Sequence, residues 1–376
     1  MPLSFEQGPI RPPSEAFSLL LRLTRNCPWN RCLFCPVYKG QKYSRRSLEE
    51  IKQDIYAIAA GMEAVQNLSQ KQGFSSITRE IVVQCGESAP ALYPLALWLY
   101  RGAGAVFLQD GDNLSLPTAL LGEVLLLLRQ KIPGISRITT YARSRSLASK
   151  TVHELVQLKQ AGLSRIHVGL ESGCNSILNF MKKGVTREQH LEAGHKVKEA
   201  GISLSEYVLL GLGGREHWRT HALETAAVLN EIRPDFIRLR TLALHPASPL
   251  YQMWAQGQFD APDDETILLE EKLLLENLEA TGSTIVSDHF NNLLEDVGGS
   301  LPGDRPAMIA RIEQYLALPP LRRELFRLGR RAGLFRTLDD LDNPVLEERV
   351  VRLYRRLEDR GLTVDAFVRQ AMSGSL

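Results

Sequence analysis

Residues 165–184 read Arg165-Ile-His-Val-Gly-Leu-Glu-Ser-Gly-Cys-Asn-Ser-Ile-Leu-Asn-Phe-Met-Lys-Lys-Gly184. A short apolar strand, a polar turn carrying Glu171 and a helix closed by glycine make one strand–helix unit. The unit repeats outward in both directions. Downstream, Thr186 with Gln189 three residues on caps a helix that Gly201 stops. A strand over 202–210 then ends in Gly211-Leu-Gly-Gly214, a helix over 222–232 meets Pro234, and 236–242 is the sixth strand. Upstream, 137–141 is a strand followed by a helix over about 149–161. Further back, Ala105-Val-Phe-Leu108 is a strand closed by Gln109-Asp-Gly-Asp112, and a helix over 120–128 is broken at Pro133-Gly134. Residues 17–23 form the first strand, and Ser47 with Glu50 opens a helix, whereas 62–104 show no clear period, the apolar stretch holding Trp98 and Tyr100 being compatible with a helix. Repeated units of this length predict an α/β fold with a parallel sheet and helices outside it. Six units predict a partial (β/α)6, TIM-like barrel, since the full barrel needs eight.

Beyond about residue 250 the strand pattern fades. Residues 265–280, 308–318 and 345–358 are apolar and charged at helical spacing. The expected division is a barrel over 1–250 and a helical C-terminal domain over 251–376. Composition agrees with a folded chain: 376 residues, 44% apolar and 23% charged, which excludes general disorder, collagen and coiled coil. Lys and Arg total 45 against 43 Asp and Glu, so the net charge of +2 does not by itself imply nucleic acid. No apolar run approaches bilayer length and no signal peptide is visible, so the expected location is the cytoplasm, with no membrane partner.

Three of the five cysteines, Cys27, Cys32 and Cys35, lie in Asn26-Cys-Pro-Trp-Asn-Arg-Cys-Leu-Phe-Cys-Pro36, directly after the first strand. Clustered thiols more often bind metal than form disulfides in a reducing compartment. Three thiolates in one loop can hold three irons of a 4Fe–4S cluster and leave the fourth open to a small molecule. Zinc would want a fourth ligand; the nearest histidine, His153, is far along the chain, and no second Cys pair exists. Cys85 and Cys174 read as buried small residues.

The loop, its place after the first strand and Phe34 before the last Cys resemble the radical S-adenosylmethionine enzymes. The likeness runs from about residue 15 to 250. It is nearest to the branch of oxygen-independent coproporphyrinogen dehydrogenase, the tRNA methylthiotransferases and the Elongator catalytic subunit. The Cys-x4-Cys-x2-Cys spacing departs from the family's usual Cys-x3-Cys-x2-Cys by one residue. The resemblance implies a 4Fe–4S cluster on Cys27, Cys32 and Cys35 with S-adenosylmethionine on its open iron. Asp110 and Gly111 then occupy the place of the motif holding the methionine amino group, and Glu171 that of the ribose contact. Lys183 falls where relatives carry a base for the methionine carboxylate, and Gly211-Leu212 where a turn lies along the adenosine. The implied reaction starts with cleavage of the sulfonium to a 5′-deoxyadenosyl radical that abstracts hydrogen, with a flavodoxin or ferredoxin as electron donor. Neither a second cluster nor a cobalamin domain is visible.

Strand parity marks further candidates. Arg22, Glu206, Arg238 and Arg240 interrupt apolar strands and need partners if buried. Glu206, Arg238 and Arg240 are expected to face the lumen and help seat cofactor or substrate; the alternative is that such charges face solvent at an open edge. Glu171 also reads as a carboxylate at a helix N-terminus. Ser287-Asp-His-Phe-Asn-Asn292 reads as a helix cap rather than an acid/base site at His289. Arginines at 322–356 interleave with glutamates and read as solvated faces rather than a phosphate-binding tail. The expected substrate is therefore a small molecule more than tRNA; a tRNA-modifying enzyme and a non-catalytic iron–sulfur or haem carrier are the alternatives.

Overall fold

Leu19, Leu20 and Leu21 are buried in β1 (Leu19–Arg22), which pairs in parallel with β2 (Ala105–Gln109), Leu19 against Val106 through Arg22 against Gln109. The computed structural model describes residues 4–102, 104–279 and 282–373. Two units partition the chain. The first comprises Met1–Pro28, Gly40–Val168 and His195–Leu204; the second comprises Trp29–Lys39, Gly169–Gly194 and Ser205–Leu376.

In the first unit β2 pairs in parallel with β3 (Arg137–Ala142), and β3 with β4 (Leu163–Glu171), whose last three residues belong to the second unit. Helices Thr118–Lys131 and Val152–Ala161 connect these strands, as the spacing predicts. Ser47 and Glu50 exchange the capping-box bonds that open Leu48–Lys71, and Thr151 and Glu154 do the same for Val152–Ala161. The stretch over 62–104 holds the rest of Leu48–Lys71 and two shorter helices, Arg79–Ser88 and Tyr93–Tyr100. Tyr93–Tyr100 is Tyr-Pro-Leu-Ala-Leu-Trp-Leu-Tyr, apolar on every side, so no polar face marks its period.

In the second unit β5 (Ser203–Leu210) and β6 (Phe236–Thr241) pair in parallel, Ser205 against Phe236 through Leu210 against Thr241; the first two residues of β5 belong to the first unit. β7 (Thr284–Val286) adds in parallel to β6, and β8 (Gly299–Ser300) pairs antiparallel with β7. Sequence reasoning passes over both, because runs of three and two residues are too short to alternate. The helix before β6 spans Gly214–Ile232 rather than starting at 222, its first turns Gly-Arg-Glu-His-Trp-Arg-Thr-His being too polar to show a face. Helix Asp264–Asn277 packs against it, and Arg305–Leu316, Pro320–Arg331, Pro344–Glu358 and Val364–Ser373 follow. The protein is thus mixed α/β, with parallel strands connected by helices, as expected. Among the described residues no helix is long and apolar enough to cross a membrane.

Candidate functional site

β4 ends in the second unit at Glu171, whose φ of 63° is left-handed. That conformation costs a non-glycine residue about 1–2 kcal/mol and persists only where its surroundings impose it. Glu171 forms a 2.9 Å ion pair with Lys183, three residues past the helix Asn175–Phe180, both side chains being largely buried. Gly169 makes the room: a Cβ there would run into the Glu171 carboxylate and stand 2.8 Å from Lys183 Nζ. Gly173 is fixed by its N–H donating to Thr225 Oγ1 at 2.9 Å.

The loop carrying Cys32, Phe34 and Cys35 docks on the same turn. Leu33 N–H donates to Met181 O at 3.0 Å, and Leu33 O accepts from Leu250 N–H at 3.0 Å. The indole N–H of Trp29 donates to Lys182 O at 2.7 Å, and the Trp29 ring lies where any side chain at Gly184 would sit. Phe34 is half-buried, with the Lys183 ammonium 5.8 Å from its ring centroid. A cation, a carboxylate and an aromatic face are therefore brought to the cysteine loop.

Glu206 on β5 is buried, and its Oε2 has no hydrogen-bond partner. Burial, followed by the Glu171 charge, pushes its pKa well above the carboxylate range, with Lys183 opposing. Arg240 on β6 donates to Asp288 Oδ1 at 3.0 Å and stacks 4.9 Å from the Tyr207 ring centroid. Arg238, two residues earlier on the same face, bonds Asp288 Oδ2 at 3.2 Å and Ser205 Oγ at 3.1 Å. The strand arginines thus meet a carboxylate that sequence reasoning assigned to a cap. Beside them His289 accepts from Asn291 N–H, and burial, then the Arg240 charge, lowers its pKa to about 4, so it is neutral at pH 7.

The first unit holds Cys27, Asp110 and Gly111. Asp110, fully buried with φ 138°, pairs with Arg22 at 2.6 Å and accepts Asn26 N–H at 3.1 Å. Its carboxylate thus anchors the residue just before Cys27. Arg22 also reaches Glu6 at 3.0 Å, and Gly8 N–H bonds Gln109 Oε1, so the N-terminal segment covers this turn. Gly111 follows in the bend, half-buried. Six described non-glycine residues have positive φ, and five of them are Asn26, Asn30, Asp110, Glu171 and Lys182. Strain concentrates on the cysteine loop and the turns that sequence reasoning selected.

A profile of the Radical SAM superfamily matches residues 95–224, which include Asp110, Gly111, Glu171, Lys183 and Glu206 and lie downstream of the cysteines. A tRNA uridine(34) acetyltransferase of Methanocaldococcus jannaschii is 20% identical over 62% of this chain and 43% of its own length. A tRNA-2-methylthio-N(6)-dimethylallyladenosine synthase of a Marinomonas species is 26% identical over 53% of this chain and 43% of its own. A mitochondrial tRNA methylthiotransferase of Homo sapiens is 23% identical over 73% of this chain and 45% of its own. The chain carries a radical SAM domain.

The matches span under half the length of these curated relatives. All three are named for modifying tRNA, which overturns the expectation of a small-molecule substrate in preference to tRNA. The error came from weighing net charge and interleaved glutamates, which describe the chain's average surface and not a binding face.

The donor set of the loop fits an iron–sulfur cluster: Cys27, Cys32 and Cys35 form no disulfide and are half-buried. Among the described residues no three Cys, His, Asp or Glu side chains are already gathered as a metal site. Cys85 and Cys174 are buried, as expected. Sequence reasoning missed Trp29, Asp288, and the buried pair His221 and Glu270 behind Glu171. Trp29 lay in the quoted loop. The others had no local signal, because their partners lie about 50 residues away (50, 48 and 49 for Arg238–Asp288, Arg240–Asp288 and His221–Glu270).

Proposed function

We propose that this radical SAM enzyme modifies tRNA, with Cys27, Cys32 and Cys35 holding a 4Fe–4S cluster and Phe34, Glu171, Lys183, Glu206 and Arg240 serving S-adenosylmethionine. Asp110 and Gly111 contribute by fixing the backbone ahead of Cys27. The observation that carries the cofactor reading is the docking of the Phe34 loop beside the strained Glu171–Lys183 pair. Support for tRNA comes from the names of the relatives.

When bound, cluster and S-adenosylmethionine together supply one-electron bond cleavage. The chain's own residues bind and orient. Lys183 offers an ammonium to a carboxylate, and Glu171 offers an acceptor to an amine or a ribose hydroxyl. Burial and the Glu171 charge favour the protonated form of Glu206, whose carboxyl can then donate an O–H without adding a second negative charge beside Glu171. The apolar group of Leu33, Met181, Leu212, Leu242 and Leu250, with Phe34 packed against it, excludes water.

The test is anaerobic reconstitution, followed by 5′-deoxyadenosine analysis after dithionite reduction and by gel shift with bulk tRNA across a salt series. Iron and sulfide uptake that Cys32→Ala abolishes, with tRNA binding that weakens steeply as salt rises, is the expected result. A protein that loads zinc instead of iron, or that ignores tRNA at about 50 mM salt, defeats the proposal.

A further inference from the structure

Behind the turn that carries Glu171 lies a buried pair that touches none of the proposed cofactor ligands' side chains. His221, on helix Gly214–Ile232, is 1% exposed and Glu270, on helix Asp264–Asn277, is fully buried. His221 Nδ1 stands 2.6 Å from Glu270 Oε1, and Nε2 stands 3.1 Å from the backbone carbonyl oxygen of Glu171. Glu270 also receives the N–H of Gly211, at 3.1 Å to Oε1 and 3.2 Å to Oε2.

A carbonyl only accepts, so the Nε2–H of His221 donates to Glu171 O, and the short contact from Nδ1 to Glu270 Oε1 shares the second ring proton with the carboxylate. Burial by itself lowers the pKa of His221, but the Glu270 charge and hydrogen bond and the Glu171 carbonyl outweigh it and raise the pKa overall. The result is one charge-assisted path from Gly211 N–H through Glu270 and imidazolium to Glu171 O. Its two ends are the left-handed residues that close β5 and β4, Gly211 at φ 86° and Glu171 at φ 63°. Glu171 keeps that geometry only where its surroundings hold it, whereas Gly211 adopts it freely, and here one pair bonds a backbone group of each turn.

We infer that His221 and Glu270 are positioning residues for S-adenosylmethionine, locking the Glu171 and Gly211 turns in the shape that binds it. The inference rests on the radical SAM reading and adds to it two residues that meet no cofactor atom. Their effect passes through the carbonyl of Glu171 and the amide of Gly211.

The experiment uses the reconstituted, cluster-loaded full chain with S-adenosylmethionine as the probe. Affinity is measured by calorimetry, and the change that the ligand makes in the reduced cluster's electron paramagnetic resonance spectrum is recorded. Glu270→Gln keeps the shape and the Gly211 contact but removes the charge. The double variant His221→Leu/Glu270→Leu removes both polar groups together, which a buried site tolerates better than loss of one partner. Both variants should keep their iron, while affinity falls about tenfold in the first and about a hundredfold in the second, the span that one or two charge-assisted hydrogen bonds imply. The spectral change should then need correspondingly more ligand. Wild-type affinity in either cluster-loaded variant overturns the inference. A wild-type protein that holds its cluster yet binds no S-adenosylmethionine overturns instead the reading on which the inference rests.

Discussion

Gly184 shows how one missing side chain can hold a cofactor loop in place. Its φ of 69° and the Trp29 ring against it leave no space for a Cβ. Gly184→Ala should therefore destabilise the fold by about 1–3 kcal/mol, through strain and displacement of the indole. Iron uptake should fall and Trp29 fluorescence should shift towards that of an exposed indole. An alanine variant with unchanged denaturation midpoint and iron content would show that the loop does not depend on this contact. Single residues were the most legible feature in the sequence where chemistry is local. Motif position alone points to Phe34, Glu171 and Lys183, and the structure brings Glu171 and Lys183 into contact. Residues whose role depends on a distant partner were not legible: Arg240 was read as a lumen charge, but nothing near it pointed to Asp288.

Among the elements, strand–helix units with a glycine or proline stop were readable because period and punctuation coincide. Tyr93–Tyr100 has no amphipathic face to fix its ends, so only a helical stretch around Trp98 and Tyr100 was open to reading, and β7 was not legible, its three residues owing their pairing to β6. The arginine-rich helix Pro320–Arg331 is legible only in the structure. Arg327 and Arg331 meet the buried Asp264 at 2.8 and 2.9 Å, while Arg330 turns to Glu295 at 3.1 Å. Arg327 and Arg331 thus join helix Pro320–Arg331 to Asp264–Asn277, and all three cations are engaged by carboxylates. Burial raises the Asp264 pKa, but the two arginines outweigh it and hold the carboxyl below its usual range. Asp264→Ala should cost about 3–5 kcal/mol by leaving two arginines without their buried partner. The exposed Arg349, Arg355 and Arg356 should tolerate alanine within about 0.5 kcal/mol. Equal denaturant midpoints for all these variants would refute the assignment of an interior role to Asp264.

For the molecule as a whole, buried acids set the pH response. Burial raises Asp112 to about 6 despite bonds from Ser146 and Arg143. Burial, with the Glu270 and Asp296 charges, raises Glu271 to about 8, and Glu206 is raised too. Each binds more protons folded than unfolded, so stability is retained below the ordinary carboxylate range and falls as pH climbs from about 4.5 to about 8. His221, also raised, acts with the same sign. Urea denaturation should give a higher midpoint at pH 5.5 than at pH 8. Glu271→Gln should remove roughly 3 kcal/mol of that difference, and an unchanged slope would contradict a neutral Glu271. None of this was visible in the overall charge balance, which counts acids without regard to burial. The reach of Glu270 has a practical consequence for protein engineering. It sits beyond residue 224, where the superfamily profile ends, yet it neutralises a cation inside the matched stretch. A chimera spliced after residue 250 would strand an imidazolium without its counter-ion, so the tail that supplies Glu270 must be inherited together with the turns it steadies.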